Sequence, residues 1–270
     1  IKSEMLANCD FLVGNLETAL ATPGVGSPNL YKNFAFLAPL AALDWMQGVN
    51  MTVVSLANNH ALDYGGAALL DELRLLPEHN ILGFGAGGDT GAAFTPKYYI
   101  YQDTVIGFVG VNGVENSVTN PSYNSPGNAY FDYNKIVSAI KTAKENADIV
   151  VVFPHWGTEG SDYANSFQKS WAQTFVNAGA DLVVGAGPHK VQEYVEVGGK
   201  PVYYSLGNFA VFGFYYSPGG SVGAYMQATV SNKQIISTQQ TKVLISYYGL
   251  PVKLGENPAD PYPGDAFGPL

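Results

Sequence analysis

Val53-Val54-Ser55-Leu56-Ala57-Asn58-Asn59-His60-Ala61-Leu62-Asp63-Tyr64-Gly65 is the stretch on which the fold turns. It opens with apolar, β-branched residues, the mark of a buried strand. It closes on Asp63 and the pair Gly65-Gly66, after which apolar residues return at helical spacing. The unit reads as strand, loop, helix, and in open α/β sheets ligands bind at the carboxyl ends of the strands. This loop offers two amides and an imidazole. An amide oxygen suits a hard metal ion, and a histidine can pass a proton to a leaving group. The same residues also serve as plain turn formers, because asparagine tolerates left-handed backbone and bonds within its own loop.

The same texture continues on both sides. Upstream, Asp10–Gly14 reads as a strand leading into the loop Asn15-Leu16-Glu17-Thr18, and residues 1–8 read as the end of a helix. Residues 20–36 form a Gly/Pro/Asn-containing loop with Tyr31, Phe34 and Phe36. Pro39 to Gly48 reads as a helix, with proline near its start and glycine near its end. Downstream come helix 65–77, a short strand 81–84, a loop 85–91, and a hairpin of 97–102 and 104–111. A long loop 112–130 precedes helix 132–146, strand 148–153, helix 165–178 and strand 181–185. From about residue 191 the chain turns β-rich, with strand-like segments at 191–197, 201–205, 222–230, 233–239 and 241–248. This order predicts one domain over residues 1–270, with two packed sheets and helices outside.

With 270 residues and 47% hydrophobic content the chain can bury one large core or two modest ones. Its net charge of −9, without a Lys/Arg cluster, argues against a nucleic-acid partner, whose phosphates demand basic patches. An anionic polymer is repelled by the whole surface yet can still meet a local cationic or metal site. Cys9, the one cysteine, cannot form an internal disulfide and reads as a small buried hydrophobe. No apolar run approaches the roughly 18 residues of a membrane span. The chain starts at Ile1 and carries no signal peptide, which reads as a trimmed or mature form with any targeting segment out of view.

Five polar clusters follow strands: Gly14-Asn15-Leu16-Glu17, Asn58-Asn59-His60 with Asp63, Pro154-His155-Trp156-Gly157-Thr158-Glu159, Gly185-Ala186-Gly187-Pro188-His189-Lys190, and Tyr204-Ser205-Leu206-Gly207-Asn208-Phe209. Three of the four histidines lie in them; His79, between a helix and a strand, reads as an exposed loop residue. Singly each cluster has a plain reading. His155 beside Trp156 suits a core position, His189 after Pro188 a turn, Glu17 a helix cap, and Ser205 and Asn208 loop shaping. Together, three histidines, an asparagine and a glutamate at strand ends make a metal constellation. Imidazole suits Zn, Mn or Fe, and carboxylate and amide oxygens suit harder ions.

These five motifs, in this order and spanning residues 10 to 209, resemble the CapA-type poly-γ-glutamate synthesis proteins of the calcineurin-like metallophosphoesterase superfamily. The resemblance implies an α/β fold: a four-layer α/β/β/α metallophosphoesterase-like sandwich with one or two divalent ions (Mn, Zn or Fe) at the strand ends. It implies that Asn59 and His155 ligate one ion and His189 the other, with Glu17 or Asn15 in the place of the bridging carboxylate. His60 would be the proton donor, with Asp63 and Glu159 orienting the histidines. Two departures stand out. The family's opening strand with its Gly-Asp motif is not in residues 1–270, and Gly187-Pro188-His189 replaces the usual His-Pro-His. Each ion would lose a ligand, so weak binding or a single ion is expected.

The tail Asp260-Pro261-Tyr262-Pro263-Gly264-Asp265-Ala266-Phe267-Gly268-Pro269-Leu270 reads smoothly into Ile1-Lys2-Ser3-Glu4-Met5-Leu6. A circularly permuted order is therefore expected alongside simple loss of the first strand, with Lys242–Tyr247 filling the vacant slot beside Phe11–Val13. The resemblance further implies work at the cell envelope or outside the cell, on an anionic capsule polymer such as poly-γ-glutamate or on a phosphoester, beside membrane-bound synthase partners. Metal-assisted hydrolysis or transfer is one reading. A non-catalytic polymer-binding subunit with a degenerate metal site, and a generic metallophosphoesterase, are the others.

Overall fold

The computed structural model describes residues 9–114, 125–210, 221–245 and 251–253. The first half runs β1 (Leu12–Asn15), β2 (Ala19–Leu20), β3 (Leu37–Ala38), α1 (Ala41–Gly48), β4 (Met51–Ser55), α2 (Gly65–Glu78), β5 (Leu82–Phe84), β6 (Ala86–Gly87), α3 (Thr90–Phe94), β7 (Lys97–Tyr101) and β8 (Thr104–Asn112). The second runs β9 (Gly127–Asn128), α4 (Tyr133–Asn146), β10 (Ile149–His155), α5 (Ser166–Ala178), β11 (Leu182–Val184), β12 (Tyr194–Val197), β13 (Lys200–Tyr203), β14 (Ser221–Ser231), β15 (Gln234–Ile245) and β16 (Pro251–Lys253). Among the described residues no helix is long and apolar enough to cross a membrane.

Two sheets carry the site. One is a parallel trio in the order β1-β4-β5. The other has the order β12-β13-β11-β10-β8-β7, parallel in its centre with antiparallel edges. The period of two along each strand divides the apolar residues between layers. In β10, Val150 and Val152 face the helical layer with Ile136, Ile140 and Phe175. Its alternate residues Ile149, Val151 and Phe153, with Phe108 of neighbouring β8, face the other sheet and meet its Val53 and Phe84. In β4, Val54 turns outward to Leu43, Met46, Leu69 and Leu76 of α1 and α2. Three apolar layers thus hold helices, sheet, sheet and helices together, which is the expected four-layer sandwich.

Several expectations are corrected. The strand-like segments 233–239 and 241–248 join in one strand, β15 (Gln234–Ile245), paired without a break to β14 from Gln239 through Ile245; residues 246–248 lie outside the described residues. The backbone ladder runs on through Gln239 and Gln240, because it does not depend on side-chain polarity. The permuted strand order does not hold. Val243, Leu244 and Ile245 pair with β14 on one edge and β16 on the other, and among the described residues β1 pairs only with β4. Residues 246–247, the tail 260–270 and the helix end at 1–8 lie outside the described residues. The loop 85–91 contains β6 and the start of α3, whose Asp89 side chain accepts from Ala92 N. The long loop 112–130 contains β9, which pairs with β6; its part 115–124 lies outside the described residues.

Candidate functional site

Parallel pairing brings the strand ends to one rim. Asn15 of β1 is level with Ser55 of β4, and His155 of β10 with Asn112 of β8. Asn58 ties the first two loops. Its Nδ2 donates to Asn15 Oδ1 at 3.1 Å and to the Leu16 carbonyl at 2.8 Å, and its Oδ1 accepts from His60 N at 2.9 Å. Asn128 of β9 in turn donates its Nδ2 to the Asn58 carbonyl.

Glu17 is the meeting point. Its Oε2 accepts from Asn15 Nδ2 at 3.0 Å, while its Oε1 lies 3.6 Å from His155 Nε2 and 3.6 Å from His189 Nε2. His155 is buried, and burial holds its imidazole below the usual range, with Glu17 as the main counterweight. It is therefore neutral at pH 7, the form that ligates metal. His189 Nδ1 is 2.7 Å from Asn208 Oδ1, which only accepts, so Nδ1 donates there, and Nε2 is the ring nitrogen nearer Glu17. His189 sits at φ +57° just after Gly187 at φ +115°. A Cβ at Gly187 would stand 2.6 Å from the Trp156 carbonyl oxygen, so the turn that aims His189 requires glycine there.

His60 forms the second part of the site. Its Nδ1 donates to Asp63 Oδ2 at 2.6 Å, and Asp63 is fully buried. Asp63 Oδ2 also accepts from Phe36 N at 2.7 Å, and Oδ1 accepts from Lys32 Nζ. The Phe36 ring lies 4.6 Å from the His60 ring. With Nδ1 bonded, the opposite nitrogen Nε2 is the one left for a leaving group. Asn59 Oδ1 is buried and has no hydrogen-bond partner among the described residues.

Asn15, Glu17, Asn59, His60 and His189 line one cavity of about 1720 Å³, shared with Asn208. Glu159 also reaches this cavity but stands exposed at its rim, and among the described residues it bonds to no histidine. Asp63, one of the two acids expected to orient the histidines, bonds to His60, and Asn208 bonds to His189. Asn208, Lys32, Phe36 and Asn128 are contributions that the sequence reading missed or took as loop shaping. Among the described residues no three histidine, cysteine or acidic side chains are gathered tightly enough to hold an ion by themselves. A carboxylate and two imidazoles meet at Glu17 Oε1, and Asn59, whose amide oxygen has no hydrogen-bond partner among the described residues, lines the same cavity as Glu17 and His189; donors of these types suit a divalent ion such as Zn, Mn or Fe. A second ion is not equally served, since Gly187 offers no side chain.

A model of the bacterial capsule synthesis protein family PGA_cap matches residues 2–213. The chain belongs to that family. The PGA_cap chain is 34% identical over 165 residues to the PGA biosynthesis protein CapA of Bacillus subtilis, covering 61% of this chain and 43% of that protein. It is 29% identical over 212 residues to the capsule biosynthesis protein CapA of Bacillus anthracis, covering 77% of this chain and 52% of that protein. It thus spans about half the length of these relatives. Its fold is also that of a phosphatase from Mycoplasma pneumoniae, with TM-score 0.54 at 12% identity over 87% of this chain and 83% of that one. A putative 5′-nucleotidase from Staphylococcus aureus gives TM-score 0.50 at 17% identity, over 79% of this chain and 40% of that one. These likenesses are of fold: the layered sandwich is shared with a phosphatase and a putative 5′-nucleotidase.

Proposed function

We propose that this protein serves the synthesis of an anionic capsule polymer of the poly-γ-glutamate type at the cell envelope, and cleaves or transfers the polymer at a single metal-assisted site. The names of the Bacillus relatives support the polymer class. The observation that carries the chemistry is the convergence of Glu17, His155 and His189 next to an Asp63-backed His60. Glu17, His155, His189 and Asn59 would hold the ion. A bound divalent ion supplies Lewis acidity and lowers the pKa of a water. The rest falls to the protein. Asp63 fixes the His60 ring so that Nε2 faces the cavity and can give a proton to the departing group. Phe36 walls one side of that ring. With a net charge of −9 on the chain, an acidic polymer gains its attraction from the ion rather than from the surface.

Elemental analysis of the purified protein, followed by product release from poly-γ-glutamate and from a chromogenic phosphodiester, tests this reading. The expected result is about one divalent ion per chain, by the donor count given above. Polymer turnover should be lost in His60→Gln while the metal is retained. A protein that takes up no ion and turns over neither compound, yet binds the polymer, would overturn it. That outcome favours a non-catalytic assembly subunit, the reading to which the bare Gly187 position lends weight.

A further inference from the structure

The segment 21–36, between β2 and β3, lies across the His60 loop at several points. Ser27 N donates to the Tyr64 carbonyl at 3.2 Å and Asn29 N to the Asp63 carbonyl at 2.7 Å. Phe36 N donates to the Asp63 carboxylate at 2.7 Å. The segment's charged residue is Lys32, whose ammonium donates both to Asp63 Oδ1 and to the Asn59 carbonyl, the latter at 2.6 Å. The Lys32 side chain is 12% exposed and that of Asp63 0%. A carboxylate so deeply buried is costly unless an opposite charge and hydrogen bonds meet both of its oxygens, as they do here.

We infer that Lys32 is a positioning residue that sets two functional groups at once. Asp63 has two oxygens. Lys32 anchors Oδ1, which fixes the plane of the carboxylate and leaves Oδ2 aimed at His60 Nδ1. The bond to the Asn59 carbonyl fixes the peptide that joins Asn59 to His60. That peptide sets the direction in which the Asn59 side chain, with its unpartnered Oδ1, leaves the backbone. One ammonium, contributed by a loop remote from the motif in sequence, therefore couples the proton donor to the amide ligand.

The metal arm of the test rests on the proposed function; the spectroscopic arm does not. In the metal-free protein, the His60 Nδ1–H should give a protected, downfield imidazole resonance in nitrogen-15 NMR, assigned by its absence in His60→Gln. In Lys32→Met this resonance should disappear, and the affinity for Mn²⁺ measured by calorimetry should fall about 10- to 100-fold, the usual effect of losing a group that orients ligands. Lys32→Arg, which keeps charge and donors, should retain the resonance. Should Lys32→Met fail to fold, Lys32→Gln, which keeps donors without charge, decides by the same two readouts, with the resonance shifted and the affinity lowered. A folded Met or Gln variant with native resonance and native Mn²⁺ affinity overturns the assignment, as does a native protein lacking the resonance. A native protein that shows the resonance but takes up no Mn²⁺ overturns the metal reading alone and leaves Lys32 to be judged by the spectra.

Discussion

Glu72 lies on the buried face of α2 between Leu69 and Leu76, fully out of solvent. Burial pushes its carboxyl well above the usual carboxylate range, only partly offset by the Leu20 backbone N–H. The folded protein therefore holds a proton that the unfolded chain gives up near pH 4.3. Stability from this group is full below that pH and is lost as pH rises toward the raised folded value. Glu72→Gln, which cannot ionise, is expected to melt higher than the native protein at pH 8 and close to it at pH 4, as read by thermal denaturation across pH. His155 acts in the opposite sense. Its depressed imidazole contributes stability that is present above the usual histidine range and lost as pH falls below it. Sequence named His155 as a site residue from its place after a strand, but Glu72 looked like any helical glutamate. Only its position on the inward stripe of α2 makes it an acid in an apolar layer.

At the scale of elements, α5 shows how a helix start is tied to the rim. The Asn165 side chain accepts from Gln168 N at 3.0 Å, and Gln168 Oε1 accepts from Asn165 N at 3.0 Å. Gln168 Nε2 then donates to Gln192 Oε1 at 2.8 Å, and Gln192 reaches the Ser161 and Tyr163 carbonyls at 3.0 Å. The cap thus braces the segments that follow His155 and His189. Asn165→Ala is expected to cost about 1 kcal/mol in urea denaturation, the ordinary effect of losing such a cap. This helix was readable because polar capping residues and a 3.6-residue apolar period occur together within it. The ladders β2–β3 and β6–β9 were not readable, since two residues a strand carry no period. β15 was read as two pieces, whereas its backbone pairing to β14 runs on through Gln240.

For the molecule as a whole, the contact between the two sheets sets the spacing of the loops that form the site. Phe84 stands 5.3 Å from Phe108 and 6.3 Å from Phe153, ring centre to ring centre, and Phe108 is 1% exposed. Phe84 belongs to the trio that carries Asn15 and Asn59, whereas Phe153 is two residues before His155 on the other sheet. Phe108→Ala is expected to destabilise the fold by about 3–5 kcal/mol, measured by chemical denaturation, because the neighbouring rings cannot close the space.

The sequence by itself determined the α/β order, the strands with two buried faces, and the rim on which Asn15, Glu17, Asn59, His60, His155 and His189 stand. Each of those follows from a pattern within about ten residues, and strand ends in such sheets are where polar loops emerge. The tertiary structure alone decided that Asn208 holds His189, that Lys32 holds Asp63, that Glu159 stays at the margin, and that β15 pairs away from β1. Those outcomes depend on the path of loops and on which backbone edges come to lie side by side. Hydrogen bonds between distant residues form wherever the packed layers bring donor to acceptor, and local pattern carries no record of that meeting.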